Sequence, residues 1–190
     1  VSIFSNENPS WYLDGLYSQF NIDFIQVKES FTLIDKIALI FQTSLFVGIL
    51  GTVPGHELVH RKKNKFDMFI GNWLLAFSWD CTFAIEHVHG HHRDVCLDED
   101  PASAKRGENI YLFILRATLQ EQKSGWKIES GRLQRRNHRV FSIQNRMIVG
   151  YVRSLSLTGA AFIFGGLFGV LSFLLCAFFA KVLLESINYI

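Results

Sequence analysis

The chain has 190 residues, 49% of them hydrophobic and 14% aromatic, with 18 phenylalanines and a net charge of only +2. That composition is too apolar for an average soluble domain and too short for several domains, and it fits one membrane domain carrying polar segments. Three scattered cysteines, Cys81, Cys96 and Cys176, argue against a disulfide framework and against an iron–sulfur or structural zinc site.

The chain opens on Val-Ser-Ile rather than Met and is polar there, so no signal peptide is read, and the sequence looks like a piece of a longer protein. Trp11, Tyr12, Leu16, Tyr17 and Phe20 suit either a headgroup-level anchor or core packing. Residues 31–53 are nearly all apolar and long enough to cross a bilayer, which takes roughly 20 such residues. They lead into a histidine cluster and then the basic run Arg61-Lys62-Lys63-Asn64-Lys65. Residues 66–85 form a second apolar stretch, with Asp67 near its start and Asp80 deeper in. A charge inside a span is costly and is expected to be paired or functional. A single crossing here would put the segments before and after it on opposite faces. The expectation is therefore a membrane entered and left again through short or broken segments.

Residues 93–146 are polar and basic, and are expected on the cytoplasmic side, where positive charge accumulates. Within them, Asp98-Glu99-Asp100-Pro101-Ala102-Ser103 reads as a turn and helix start, and two helices are expected over 110–119 and 125–146. The last apolar stretch is broken by Gly165-Gly166 and Gly169, so it predicts two helices, 147–164 and 168–190, folded as a hairpin. The fold expected is all-α, a single partial membrane helical bundle with its polar chemistry at the cytoplasmic face. The basic runs suit anionic lipid or an acidic redox partner; because they flank apolar spans, nucleic acid is not a partner.

Six of the seven histidines sit in two short stretches, Gly55-His56-Glu57-Leu58-Val59-His60-Arg61 and Glu86-His87-Val88-His89-Gly90-His91-His92-Arg93. On a helix, residues four apart share a face, so His56 pairs with His60 and His87 with His91, with His92 beside them. His89 lies two residues from both His87 and His91 and points off their face. Five neutral imidazoles converging on one place make a metal site, and the histidine-rich donor set suits iron that cycles its redox state and binds oxygen. Glu57 and Glu86 each adjoin a ligand position and are expected to orient imidazoles by accepting their second N–H, or else to pair with Arg61 or Arg93. His56-Glu57-x-x-His60 also has the zinc-metalloprotease form, with Glu57 as base, but that reading leaves the second cluster unexplained.

The two clusters, together with Asp98 through Ala104, Gly107-Glu108-Asn109-Ile110-Tyr111 and Asn188-Tyr189-Ile190, resemble the membrane-bound alkane 1-monooxygenase family. That family is one of the fatty-acid desaturase-like, histidine-rich diiron membrane enzymes, and the similarity runs from about Gly51 to the C-terminus. The resemblance implies an all-helical protein of the bacterial inner membrane with two iron ions at the cytoplasmic face, held in part by His56, His60, His87, His91 and His92. It implies O2-dependent terminal hydroxylation of medium- to long-chain n-alkanes, with electrons from rubredoxin and rubredoxin reductase. In the family, the Asn-Tyr-x segment continues into Glu-His-Tyr-Gly and a further histidine box. Leu133 through His138 resembles that box superficially but carries one histidine, so His138 is read as a surface residue. These residues are accordingly expected to hold only part of a diiron site and to be inactive alone. Two rival substrates remain, an aromatic methyl group as in xylene monooxygenases and a fatty acyl chain. A membrane zinc protease and a non-catalytic membrane protein are the rivals from different functional classes.

Overall fold

Three of the helices begin where a short polar side chain caps them. Thr32 and Asp35 form a reciprocal capping box, Asn64 accepts from the amides of Phe66 and Asp67, and Asn109 accepts from that of Tyr111. The structure, a computed structural model, describes residues 17–21 and 23–189; Trp11, Tyr12, Leu16 and Ile190 lie outside them. Tyr17 and Phe20 are exposed. The described residues are all-helical, without a strand. The helices are α1 (Phe24–Ser30), α2 (Leu33–His60), α3 (Lys65–Ala76), α4 (residues 83–94), α5 (Ile110–Arg135) and α6 (Arg146–Tyr189).

α2 widens into a π-helical turn at Val47–Thr52, closed by the Val53 amide on the Gly48 carbonyl. Pro54 follows at once and has no N–H, so the α-type bond that would close the preceding turn is absent. Four residues then reverse the chain into α3. The two helices approach closely at Gly55 and Gly71, where a Cβ on Gly71 would sit 3.0 Å from the Gly55 carbonyl oxygen. The apolar stretch 66–85 is not one helix. It breaks after α3 in a turn with Trp79 at φ 56°, pinned to α6 by the Trp79 indole N–H on Thr158 Oγ1 at 3.2 Å. The chain therefore returns, and the ends of α2 and α4 that carry histidines lie at the same end of the bundle.

α6 is two helices in one. Ser154 Oγ donates to the Ala76 carbonyl at 3.1 Å, while Lys181 Nζ reaches Asp80 at 2.9 Å. In a straight helix, residues 154 and 181 would be about 40 Å apart. They meet neighbouring parts of one turn because the helix folds back at Gly166, whose φ of 55° and ψ of −150° are open only to glycine. Residues 125–146 do not form the separate helix expected from sequence: α5 runs unbroken through Gly125, where a Cβ would lie 2.3 Å from Thr82 Cγ2, so this glycine serves close packing.

α2 and α6 are long and apolar enough to cross a membrane. Their outer faces leave Ile34, Leu50, Ile163 and Leu167 largely exposed, which suits lipid rather than water. The core lies at the histidine end: Val59, Leu75, Phe83, Ala84 and Val88 pack together, with Met68 and Leu184 against them. A Cβ at Gly166 would meet no atom within 4 Å, so any cost of Gly166→Ala is backbone strain. Thermal unfolding of the full-length protein in detergent should show a loss of about 1–3 kcal/mol. Gly159→Ala, equally open but helical, should be neutral or gain up to about 1 kcal/mol.

Candidate metal centre

The C-terminal turn of α2 presents His56 and His60 side by side, their rings 4.7 Å apart. α4 supplies the rest through a second π-helical turn, His87–His91, in which the His92 amide bonds to the His87 carbonyl. In an α-helix, position i+5 would point about 140° away from position i. The wider π turn swings His92 back over His87, as such turns often do at functional sites. Gly90 leaves room beside this turn for the Glu86 carboxyl, whose Oε1 a Cβ there would meet at 2.3 Å.

As a result His87 Nε2 lies 3.0 Å from His56 Nε2 and 3.1 Å from His92 Nε2. Ligand atoms of His56, His60, His87 and His92 all fall within 4.8 Å of one another. Two nitrogens each about 2.1 Å from one metal ion are about 3.0 Å apart at right angles and at most about 4.2 Å apart, so the His87–His56 and His87–His92 spacings fit a bound ion and the widest pair would close by about 0.6 Å around it. Burial, reinforced by the neighbouring histidines, pushes His87 down to about 2, and burial also lowers His92. Such imidazoles stay neutral and keep lone pairs for a metal. Phe83 stacks on the His87 ring at 4.3 Å and fixes its plane.

His91 stacks its ring on His87 at 5.1 Å, but its ligand atoms are not among the clustered four. Its Nδ1 meets Asp100 Oδ2 at 2.9 Å, which leaves Nε2 as the nitrogen with a lone pair. Asp100 is buried, and its loop is clamped by Arg116. That guanidinium binds Glu108 at 2.6 and 2.8 Å and the carbonyls of Pro101 and Ser103 at 3.2 and 3.0 Å. Hydrogen bonds from Arg116 hold the Glu108 carboxyl down at about 2. No helix starts in the 98–103 segment; it is turn, and α5 begins only at Ile110. His91, Asp100, Ser103 and Tyr189 line a cavity of about 560 Å3.

Glu57 is exposed and pairs with Arg61 at 3.4 Å. Glu86 is buried and accepts from Ser124 Oγ at 3.1 Å; burial pushes its carboxyl up to about 7. Neither contacts a histidine ring through a hydrogen bond, and the carboxylate that does is Asp100. His89 faces away from the four-histidine group, toward Lys62 and Arg146, and His138 is exposed. Asp80 is paired within the bundle with Lys181, which also meets Glu121 at 2.8 Å and Glu185 at 2.6 Å. Sequence reasoning expected a partner for Asp80 but had no means of finding Lys181, 101 residues away. The three cysteines are free, Cys81 and Cys176 buried and Cys96 exposed.

The fatty acid desaturase family model matches residues 36–190. Alkane 1-monooxygenase 1 of Pseudomonas aeruginosa is 37% identical over 156 residues, 82% of this chain and 40% of that protein. Alkane 1-monooxygenase of Acinetobacter baylyi is 33% identical over 184 residues, 96% of this chain and 43% of that protein. The hydroxylase component of the xylene/toluene monooxygenase of Pseudomonas putida is 31% identical over 141 residues, 73% of this chain and 37% of that protein. The chain thus spans about two fifths of the length of the curated relatives it matches.

Proposed function

The chain belongs to the fatty acid desaturase family, and from that premise we propose that it is the histidine-bearing part of an alkane 1-monooxygenase. The observation that carries the reading is the convergence of His56, His60, His87 and His92 within 4.8 Å at the end of apolar helices. The substrate class is alkanes, in keeping with the names of the alkane 1-monooxygenase relatives, and within it the proposal takes n-alkanes of medium to long chain. The products are primary alcohols and water, with O2 as co-substrate and electrons from rubredoxin and its reductase. The site faces the cytoplasm from a bacterial inner membrane, where the basic loops after His60 and before α6 would lie on the positive side.

The cofactor proposed is two iron ions, which when bound supply dioxygen activation for oxygen insertion at a terminal C–H bond. Four clustered nitrogens are a set for one ion. The second iron calls on His91 Nε2 and on ligands from outside these residues, with the cavity beside His91 as the space for them. Asp100 holds His91 in the tautomer that leaves Nε2 open, and Arg116 holds Asp100 in place. The apolar core beneath the histidines excludes water from the floor of the site. Glu57, turned to Arg61 in solvent, is poorly placed as the base of a zinc protease.

The test is metal analysis with Mössbauer spectroscopy on full-length protein in detergent, followed by octane oxidation with rubredoxin. About two irons per chain and 1-octanol as product support the proposal; one zinc per chain, or iron without octane turnover, sinks it. Turnover of xylene or an acyl chain in place of octane would move the assignment to those branches.

A further inference from the structure

A cavity of about 320 Å3 opens between the α2–α3 turn, α3, α4 and the start of α6. Its lining is split by chemistry. Lys62, Lys65, Arg146 and Arg153 supply four cations, Met68, Ile85 and Val149 are part of an apolar wall, and no acidic residue takes part. Arg146 is satisfied by Glu129, which takes its Nε at 3.0 Å and Nη2 at 2.7 Å. The other three cations have no carboxylate within 4.0 Å among the described residues. Arg153 is the unusual one. It sits half-buried seven residues into α6, about 10 Å along an apolar helix. An unpaired guanidinium at that depth is costly unless something anionic meets it.

We propose that this cleft binds an anionic phospholipid, its headgroup phosphate held by Arg153, Lys62 and Lys65 and the top of an acyl chain lying on Met68, Ile85 and Val149. The level is right: Lys62 follows the last turn of α2, and Arg146 opens α6, so the cations ring the place where two apolar helices emerge. Guanidinium matches phosphate in a bidentate fashion, and basic pockets between membrane helices are established headgroup sites. The volume suits a headgroup and the beginning of a chain, not a whole lipid. An acidic protein surface could reach exposed Lys62 and Lys65 but not Arg153 on its apolar helix, which decides for lipid. The bound lipid would brace α4, which carries His87, His91 and His92, and the α2–α3 turn that directly follows His60.

Native mass spectrometry of the full-length protein, equilibrated with equal phosphatidylglycerol and phosphatidylcholine, reads this directly. The expected result is preferential retention of phosphatidylglycerol, falling about five-fold per cation removed in Arg153→Gln and in the pair Lys62→Gln with Lys65→Gln. The lysine pair is exposed, so it keeps the test valid if Arg153→Gln unfolds the protein. Equal retention of the two lipids, or a preference unchanged in the lysine pair, overturns the proposal. So does thermal stabilisation by millimolar inorganic phosphate alone that the lysine pair abolishes, which assigns the cleft to free phosphate. Displacement of the phosphatidylglycerol by poly-glutamate overturns it in favour of a protein partner.

Discussion

Full-length protein carrying His87→Ala will bind its metal more than about 100-fold more weakly than wild type, and activity will go with it. His87 is the hub of the cluster: its Nε2 is within 3.1 Å of those of both His56 and His92, and its ring is held flat on Phe83. Losing it removes one donor and also the contact through which the α2 and α4 histidines meet. The bound for comparison is Asp100→Asn, which leaves every imidazole in place. Removing the carboxylate behind a ligand histidine typically costs about 10–100-fold in metal affinity or activity, so Asp100→Asn should fall in that range. His89→Ala and His138→Ala should leave metal content unchanged, since neither joins the group of four. Metal content by plasma mass spectrometry, alongside melting curves of the metal-free proteins, separates lost ligation from lost fold. Equal metal loss in His87→Ala and His138→Ala would refute the site.

The sequence made the histidines legible because a ligand set must be written in side chains that few other roles demand. Spacing at i and i+4 was enough to pair His56 with His60. It also paired His87 with His91, whose rings stack at 5.1 Å, but it could not show that His92 puts its nitrogen 3.1 Å from that of His87, because the α4 backbone departs from α geometry at that point. With 3.6 residues per turn His91 belongs beside His87, and its ring does stack there; the π turn also brings His92 over His87, while His91 Nδ1 turns to Asp100. Hydrophobic pattern likewise shows where α2 and the halves of α6 lie, and the glycines mark the hairpin at Gly166. It could not show that Gly125 lies in mid-helix, because a glycine used for close packing and one used to end a helix look alike in one sequence. Long-range polar partners were the least legible. Glu57 and Glu86 neighbour histidines in the chain, yet the orienting carboxylate comes from Asp100 in a loop that Arg116 anchors from the next helix.

The largest stability effect should come from Lys181→Met. Among the described residues Lys181 is the one cation paired with three buried carboxylates, Asp80 at 2.9 Å, Glu121 at 2.8 Å and Glu185 at 2.6 Å, and it ties the 77–82 turn, α5 and the return half of α6 together. Methionine nearly preserves the volume but strands the carboxylates in an apolar interior, and removing one partner of a buried pair costs about 3–5 kcal/mol. The carboxylates are not equivalent. Burial pushes Glu121 up to about 8 despite the opposing pull of Lys181, so at neutral pH it is largely protonated, and Glu121→Gln should cost far less than Lys181→Met. The sign of the pH dependence follows. A carboxyl whose folded value lies above its unfolded value of 4.5 favours the folded state at low pH, and that contribution is lost as pH rises through about 8. The Glu121 share of thermal stability should therefore fall between about pH 4.5 and 8 and vanish in Glu121→Gln, flattening the profile over that window. Adding Asp80→Asn to Lys181→Met should recover part of the loss, because one stranded charge is then gone; strict additivity of the two changes would mean that they are not coupled.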